Sequence, residues 1–445
     1  MRRLTILLFL FPVLLRAEPK PDADSGQVKD FVDQLFQISA VMLHDVINPP
    51  AASRYYAYTT LAAYQVLKAS NPDMQDMAGH FKEKPDFSAV DVPEKVDPVF
   101  AATYAMLEAG KQMLPSGYML QQKQEQYIGY YQEQYDLSPE ATDNSVAYAE
   151  AVAARVIAYS KTDGYAKLST YTRYMPTKEE GRWYPTPPAY IEAIEPHWNT
   201  VRPFFLDSAS QFAPPPPAPF DLDSGSSFHT QTMEVYHTVN DITEEEEEIA
   251  NFWDCNPFAV KFTGHMAIGL KKITPGGHWM GIAGIVSEKA GIGFAEAVKV
   301  HTLLALTLHD AFISCWDEKY RSDRIRPETV INRYIDQQWK PILQTPPFPE
   351  YTSGHSVASA SAAVVLTAML GDNFAFDDDT EVIFGLPVRS FTSFYQAAEE
   401  AAISRLYGGI HFRDAIEDGV AEGKAVGHHI LSTLSMTTEP EFSGR

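Results

Sequence analysis

Only two of the 445 residues are cysteine, Cys255 and Cys315. A disulfide-dense scaffold is therefore excluded, and nothing in the spacing of the pair suggests a metal site. A single disulfide between them and two buried free thiols both stay open. The chain also lacks His-Glu-x-x-His, Gly-x-Ser-x-Gly, a phosphate-binding P-loop and Cys-x-x-Cys. Those absences set aside several common hydrolase, nucleotide and redox chemistries. Basic residues are scarce: 35 Lys and Arg stand against 58 Asp and Glu, a net charge of −23. That balance argues against nucleic acid and anionic membrane surfaces as partners. Long alternating, strand-like runs are missing too.

What the chain has instead is helical periodicity. Phe31-Leu35-Ile38-Ala40-Leu43, then residues 55–67, 99–113, 120–135 and 146–159, carry apolar positions at i, i+3, i+4. From about Asp163 to Ser227 the pattern breaks, with the run Pro214-Pro215-Pro216-Pro217 inside it. Proline removes donors and fixes φ, so this stretch reads as ordered irregular connection. A second helical half follows, and Glu244 to Glu248 read as the solvated start of one of its helices. The expected fold class is all-α. Its expected divisions are an N-terminal bundle over 27–165, a proline-rich connection over 166–227 and a C-terminal bundle over 228–435.

Residues 1–17 have a basic start, an apolar run from Leu4 to Leu15, and Arg16-Ala17 near a plausible cut. That is the pattern of a secretory signal, and its apolar run is short for a membrane span. Removal of those residues deletes three arginines and no acids, leaving a mature charge of −26. The expectation is a secreted or periplasmic protein with no membrane insertion after processing.

Against this acidic background three polar clusters stand out between residues 319 and 411. They are Lys319 with Arg326-Pro327, then Ser353-Gly354-His355, then Ser404-Arg405 with His411. Guanidinium forks match tetrahedral oxyanions and lysine adds a point charge. A glycine lets its N–H approach a ligand closely. Two histidines allow one to bond a central atom while the other moves protons. Read as one helix, residues 319–326 would place Lys319 and Arg326 on a shared face, with Arg321 and Arg324 pointing away. Thr352-Ser353 would begin a helix running from His355 to Leu370, setting its positive end at the anion. His265 and His278 lie in glycine-containing turns and read as pocket-lining or structural, while His301 and His309 read as core histidines.

The order and spacing of these clusters resemble the superfamily that joins vanadium-dependent haloperoxidases to type-2 phosphatidic acid phosphatases and bacterial class A acid phosphatases. Lys319-Tyr-Arg-Ser-Asp-Arg-Ile-Arg326-Pro327 matches its first motif, and Thr352-Ser353-Gly354-His355 its second, with threonine in place of proline. Ser404-Arg405 to His411 matches the third, except that Asp414 falls one residue early. The stretches Asn48 to Arg54, Thr186 to Trp198, and Ile273 to Trp279, with Trp316-Asp317 just ahead of the lysine, are similar to the bacterial iodoperoxidase branch.

The resemblance implies paired four-helix bundles joined by a proline-rich irregular bridge, with the site in the second. It implies vanadate as cofactor, bonded by His411 and held by Lys319, Arg326, Arg405, Ser353 and the Gly354 N–H. His355 would take the proton of hydrogen peroxide, Lys319 would help polarise it, and Trp316 and Asp317 would stand behind the site. Asp414, or less well Asp418, would orient His411. Phe258 and Tyr407 are further residues expected to reach the site. The reaction implied is oxidation of a halide, iodide by the branch, to hypohalous acid. The same residues could run a second enzyme, a secreted acid phosphatase in which His411 forms a phosphohistidine and His355 protonates the leaving group. Oligomeric state is left open.

Overall fold

The computed structural model describes residues 23–87, 90–177, 179–187, 189–263, 266–269 and 271–436. Residues 1–17, expected to be a signal segment, and His265 lie outside the described residues. Helices dominate. The first half holds α1 (Ala23–His44), α2 (Pro49–Ser70), α3 (Pro98–Met113), α4 (Met119–Tyr135) and α5 (Pro139–Ser160). The second holds α6 (Ser227–Asn240), α7 (Glu244–Phe252), α8 (Pro275–Ala290), α9 (Phe294–Ser322), α10 (Pro327–Tyr334), α11 (Gly354–Leu370), α12 (Phe394–Tyr407) and α13 (Arg413–Thr433). Two antiparallel hairpins, β1 (Val260–Thr263) with β2 (Met266–Gly269) and β3 (Phe376–Asp378) with β4 (Arg389–Phe391), are inserted in it.

Local sequence explains where many helices begin. Asn48, Asp97, Ser138 and Thr274 each cap a helix whose next residue is proline, and each side chain accepts a backbone N–H of the first turn. Proline at that position loses no hydrogen bond, because the first N–H groups have no intrahelical partner. Thr243 and Glu246 form a reciprocal capping box at the start of the acidic α7.

Tertiary packing does not separate the halves. One apolar core runs from Val28 through Tyr58, Leu107, Leu304 and Val365 to Leu434. The 29-residue α9, about 43 Å long at 1.5 Å per residue, is its axis; α2 packs on one side and α11 on another. Between the halves the described residues form only short 3₁₀ turns and an isolated bridge from Arg182 to Arg324, yet they bury Trp183, Trp198 and Phe204. Asp310 on α9 pins it by accepting the N–H groups of Phe204, Phe205 and Leu206 at 2.7, 2.7 and 3.1 Å.

The pair α11 and α13 carries the site. Gly419, Gly423 and Gly427 recur every four residues along α13 and face α11. A Cβ on Gly423 would stand 2.3 Å from the Val357 carbonyl oxygen, and one on Gly427 2.9 Å from Val364. Their absence lets the two helices close up. The Ser353 N–H then donates to the Ala415 carbonyl at 2.9 Å, locking the start of α11 to that of α13.

Candidate active site

Four chain segments meet at the C-terminal end of α9. Lys319 comes from its last turn, and Arg326 is the cap residue of α10. The two do not share a helix face as expected. Helix α9 stops at Ser322, and Asp323 turns the chain in the left-handed region at φ 49°. The short turn, not helical periodicity, returns Arg326 to the site. Ser353 caps α11, its side chain accepting the Ser356 N–H at 3.3 Å, so Gly354 and His355 fall in the first turn. Arg405 is supplied by the end of α12, and His411 by the loop before α13.

Gly354, His355, Arg405 and His411 line one cavity, whose walls include Trp316 and Phe258. A Cβ on Gly354 would meet nothing closer than Trp316 at 3.6 Å, so it would occupy that space. Lys319 and Arg326 stand directly behind, both fully buried. The Lys319 ammonium donates to the carbonyls of Pro349 (3.2 Å), Glu350 (3.1 Å) and Thr352. Arg326 donates to the carbonyls of Phe348 (3.0 Å) and Ile410 (2.8 Å) and reaches His411 Nε2 at 3.1 Å. Arg405 donates to the Trp253 carbonyl at 2.7 Å. Carbonyl dipoles therefore fix the three cations without neutralising them. Burial pulls Lys319 down to about 8, and Arg326 and Arg405 down to about 10.

The orienting partner of His411 is not Asp414. Its Nδ1 lies 2.9 Å from Glu350 Oε1, and the Phe412 N–H donates to the same oxygen at 2.9 Å. The second oxygen of Glu350 faces Arg324 at 3.3 Å. Asp414 instead pairs with Arg324 and accepts the Ala218 N–H at 3.1 Å. Asp418 accepts the Tyr351 hydroxyl at 2.9 Å. The reason is local: α13 begins at Arg413, so its first turn carries Asp414 away from the preceding loop, whereas the strap at Glu350 runs beneath the imidazole. Glu350 was missed by sequence reasoning, and Arg324, expected to point away, is buried against it. Glu350 directly precedes Tyr351 and the second motif, but 61 residues separate it from His411, and no periodicity links the two.

With Glu350 accepting from Nδ1, His411 turns the lone pair of Nε2 to the Arg326 guanidinium at 3.1 Å, at the edge of the cavity. Burial and the surrounding Arg326 and Lys319 charges hold it well below the ordinary histidine range, hence neutral. His355 is held neutral likewise, by burial and the Arg405 charge. Its Nε2 is buried and has no hydrogen-bond partner among the described residues. The histidines at 301 and 309 are fully buried and pushed down to about 4, as expected of core histidines.

Two neighbours differ from expectation. Trp316 contributes to the cavity wall and donates to the Ile194 carbonyl at 3.2 Å, but Asp317 accepts from Asn199 at 2.9 Å and pairs with Arg321. One residue along a helix turns the side chain by about 100°, which sends Asp317 to the surface side. Tyr407 packs with Leu343 and Ile410. Thr352, the departure from the usual proline, donates its hydroxyl to Glu422 at 2.7 Å. Cys255 and Cys315 are both free and buried.

The arrangement is a buried cationic cradle with one imidazole lone pair and one unpartnered imidazole nitrogen. It suits a multiply charged oxyanion of a metal that a histidine can ligate. Residues 299–439 match the family model of the VCPO second helical-bundle domain. A bacterial vanadium-dependent iodoperoxidase of known crystal structure is 44% identical, with a TM-score of 0.85 over 94% of this chain and 98% of that one. The chain belongs to the vanadium-dependent haloperoxidases. They are oxidoreductases. A bacterial vanadium-dependent chloroperoxidase shares the fold in its holo form (16% identity, TM-score 0.63, 87% of this chain and 93% of that one). Its apo form does so equally (15%, 0.64, 87% and 94%). Among curated protein sequences none matches. Within this haloperoxidase frame all-α architecture is expected and found. No helix among the described residues is long and apolar enough to cross a membrane.

Proposed function

We propose that this haloperoxidase uses vanadate and hydrogen peroxide to oxidise halide, with iodide as its substrate, and acts outside the cytoplasm after export. One observation carries the reading: neutral His411 and His355 share one cavity backed by three buried cations. The likeness to the bacterial iodoperoxidase supports iodide, and residues 1–17 support export.

Vanadate, when bound, supplies a Lewis acid that polarises peroxide. The chain does the rest. His411 would offer Nε2 to the metal because Glu350 occupies Nδ1. Lys319, Arg326 and Arg405 would balance the charge of the oxygens, and the Ser353 hydroxyl and Gly354 N–H would hydrogen-bond to them. His355 is neutral, so its Nε2 takes the peroxide proton and later returns it. The apolar walls at Phe258, Trp316 and Phe348 limit water at the reacting atoms.

The test is an assay of vanadate-free protein with orthovanadate, peroxide and each of iodide, bromide and chloride, beside hydrolysis of a phosphomonoester. Halide oxidation should appear only after vanadate is added, be fastest with iodide and fall as phosphate is raised. Full halide oxidation without vanadate, or phosphate release outpacing it, would sink the reading.

A further inference from the structure

Behind the cavity, packed on Trp253, lies a second polar cluster of opposite character. His278 sits in the first turns of α8, Cys255 in the loop after α7, and Glu381 in the turn between β3 and β4. All three are buried, and their ligating atoms lie within 4.8 Å of one another. His278 Nδ1 is 3.3 Å from Cys255 Sγ and 3.4 Å from Glu381 Oε1. Its other nitrogen, Nε2, lies 2.8 Å from Asp378, which accepts in addition from the Thr380 N–H and hydroxyl. The Trp253 ring stacks on the imidazole at 4.5 Å and 19°. Lys272, whose charge reaches Glu381, is engaged by Asp254 at 3.0 Å.

Glu381 is the anomaly. Its side chain is fully buried, and neither carboxylate oxygen has a hydrogen-bond partner among the described residues. A buried carboxylate without donors is costly. Thiolate, imidazole and carboxylate together are a ligand set for a borderline divalent cation. Tetrahedral bonds of about 2.0–2.3 Å would space such ligands roughly 3.3–3.7 Å apart, close to the two distances from His278. A carboxylate on the far nitrogen of a ligating histidine is the usual outer partner of such sites. Cys255 also lines the main cavity, which gives an ion a way in.

We propose that Cys255 Sγ, His278 Nδ1 and Glu381 Oε1 bind one divalent cation of the zinc class, oriented by Asp378 and separate from the oxyanion site. Binding displaces the thiol proton and any proton on His278 Nδ1 to solvent, and leaves a fourth position for water. The ion ties three distant segments into the wall that presents the Trp253 carbonyl to Arg405. The inference does not depend on which oxyanion the cradle takes.

The experiment uses the full chain without vanadate, its metal content measured before and after chelation, then titrated with Co²⁺. One cation per chain is expected, with a near-ultraviolet thiolate-to-cobalt charge-transfer band. Cys255→Ala should abolish that band, while Cys315→Ala, which removes the other buried thiol, should leave it unchanged. Glu381→Gln should weaken Co²⁺ binding by at least about tenfold, the lower range for losing even an outer-shell partner. Substoichiometric metal with no charge-transfer band in folded wild-type protein would overturn the proposal, and so would a band that survives Cys255→Ala. In that outcome Glu381 is simply a buried, protonated acid.

Discussion

Two buried clusters flank Trp253, one rich in cations and the other in carboxylates. On one side Lys319, Arg326 and Arg405 crowd around two neutral histidines, with Glu350 as the carboxylate held against His411. On the other, Asp378 and Glu381 crowd around a single histidine and a thiol. The first leaves an imidazole nitrogen without a partner, and the second leaves both oxygens of a carboxylate so. An unbalanced buried charge is expensive unless a ligand of opposite sign completes it. The contrast teaches that the sign of the missing partner can be read from the sign of the excess: an anion for one cluster, a cation for the other.

The comparison breaks most sharply at His411. His411→Ala removes the one imidazole lone pair fixed by Glu350, so tight vanadate retention and halide oxidation should both be lost. Equilibrium dialysis with vanadate and an iodide assay measure the two, and normal values for this variant would refute the role given to it. Next comes His355→Ala, which leaves the cations in place. Vanadate should still bind, more weakly, while turnover drops by about 10²–10⁴, the range for a general acid–base group.

Glu350 and Asp414 offer a finer test of which carboxylate serves the cradle. Glu350→Gln should lower vanadate affinity or turnover by roughly 10–100-fold, as loss of an outer-shell partner does. Asp414→Asn should change either by less, since it acts on Arg324 from the far side. Equal losses in the two variants would mean that His411 is oriented by the whole network. The smallest effect is on pH. Lys319 is depressed to about 8 by burial, against 10.5 for a free lysine. Above pH 8 it sheds its proton and the cradle loses a charge, so inorganic phosphate should bind more weakly as pH rises through that value. The sign for folding is the reverse. Between about 8 and 10.5 the unfolded chain binds the more protons, so this group makes the anion-free protein more stable as pH rises. Phosphate affinity followed from pH 7 to 9 checks the first effect, and a flat profile would show that Lys319 stays charged throughout.

Local physics is written in the chain. Cap residues followed by proline start α2, α3, α5 and α8, the proline run keeps the connection from forming long helices, and apolar spacing marks the helix faces. Motif order alone picks out Lys319, Arg326, Ser353, Gly354, His355, Arg405 and His411, because fixed spacings between rare polar types survive in one dimension. The tertiary structure alone decided what each of them touches. Glu350 replaces Asp414 beneath His411 because helix direction, not sequence distance, sets where a carboxylate lands. Cys255, His278 and Glu381 lie up to 126 residues apart, a separation read from their numbers, and no spacing rule joins them. Their meeting depends on where a loop, a helix start and a hairpin turn are packed around one tryptophan.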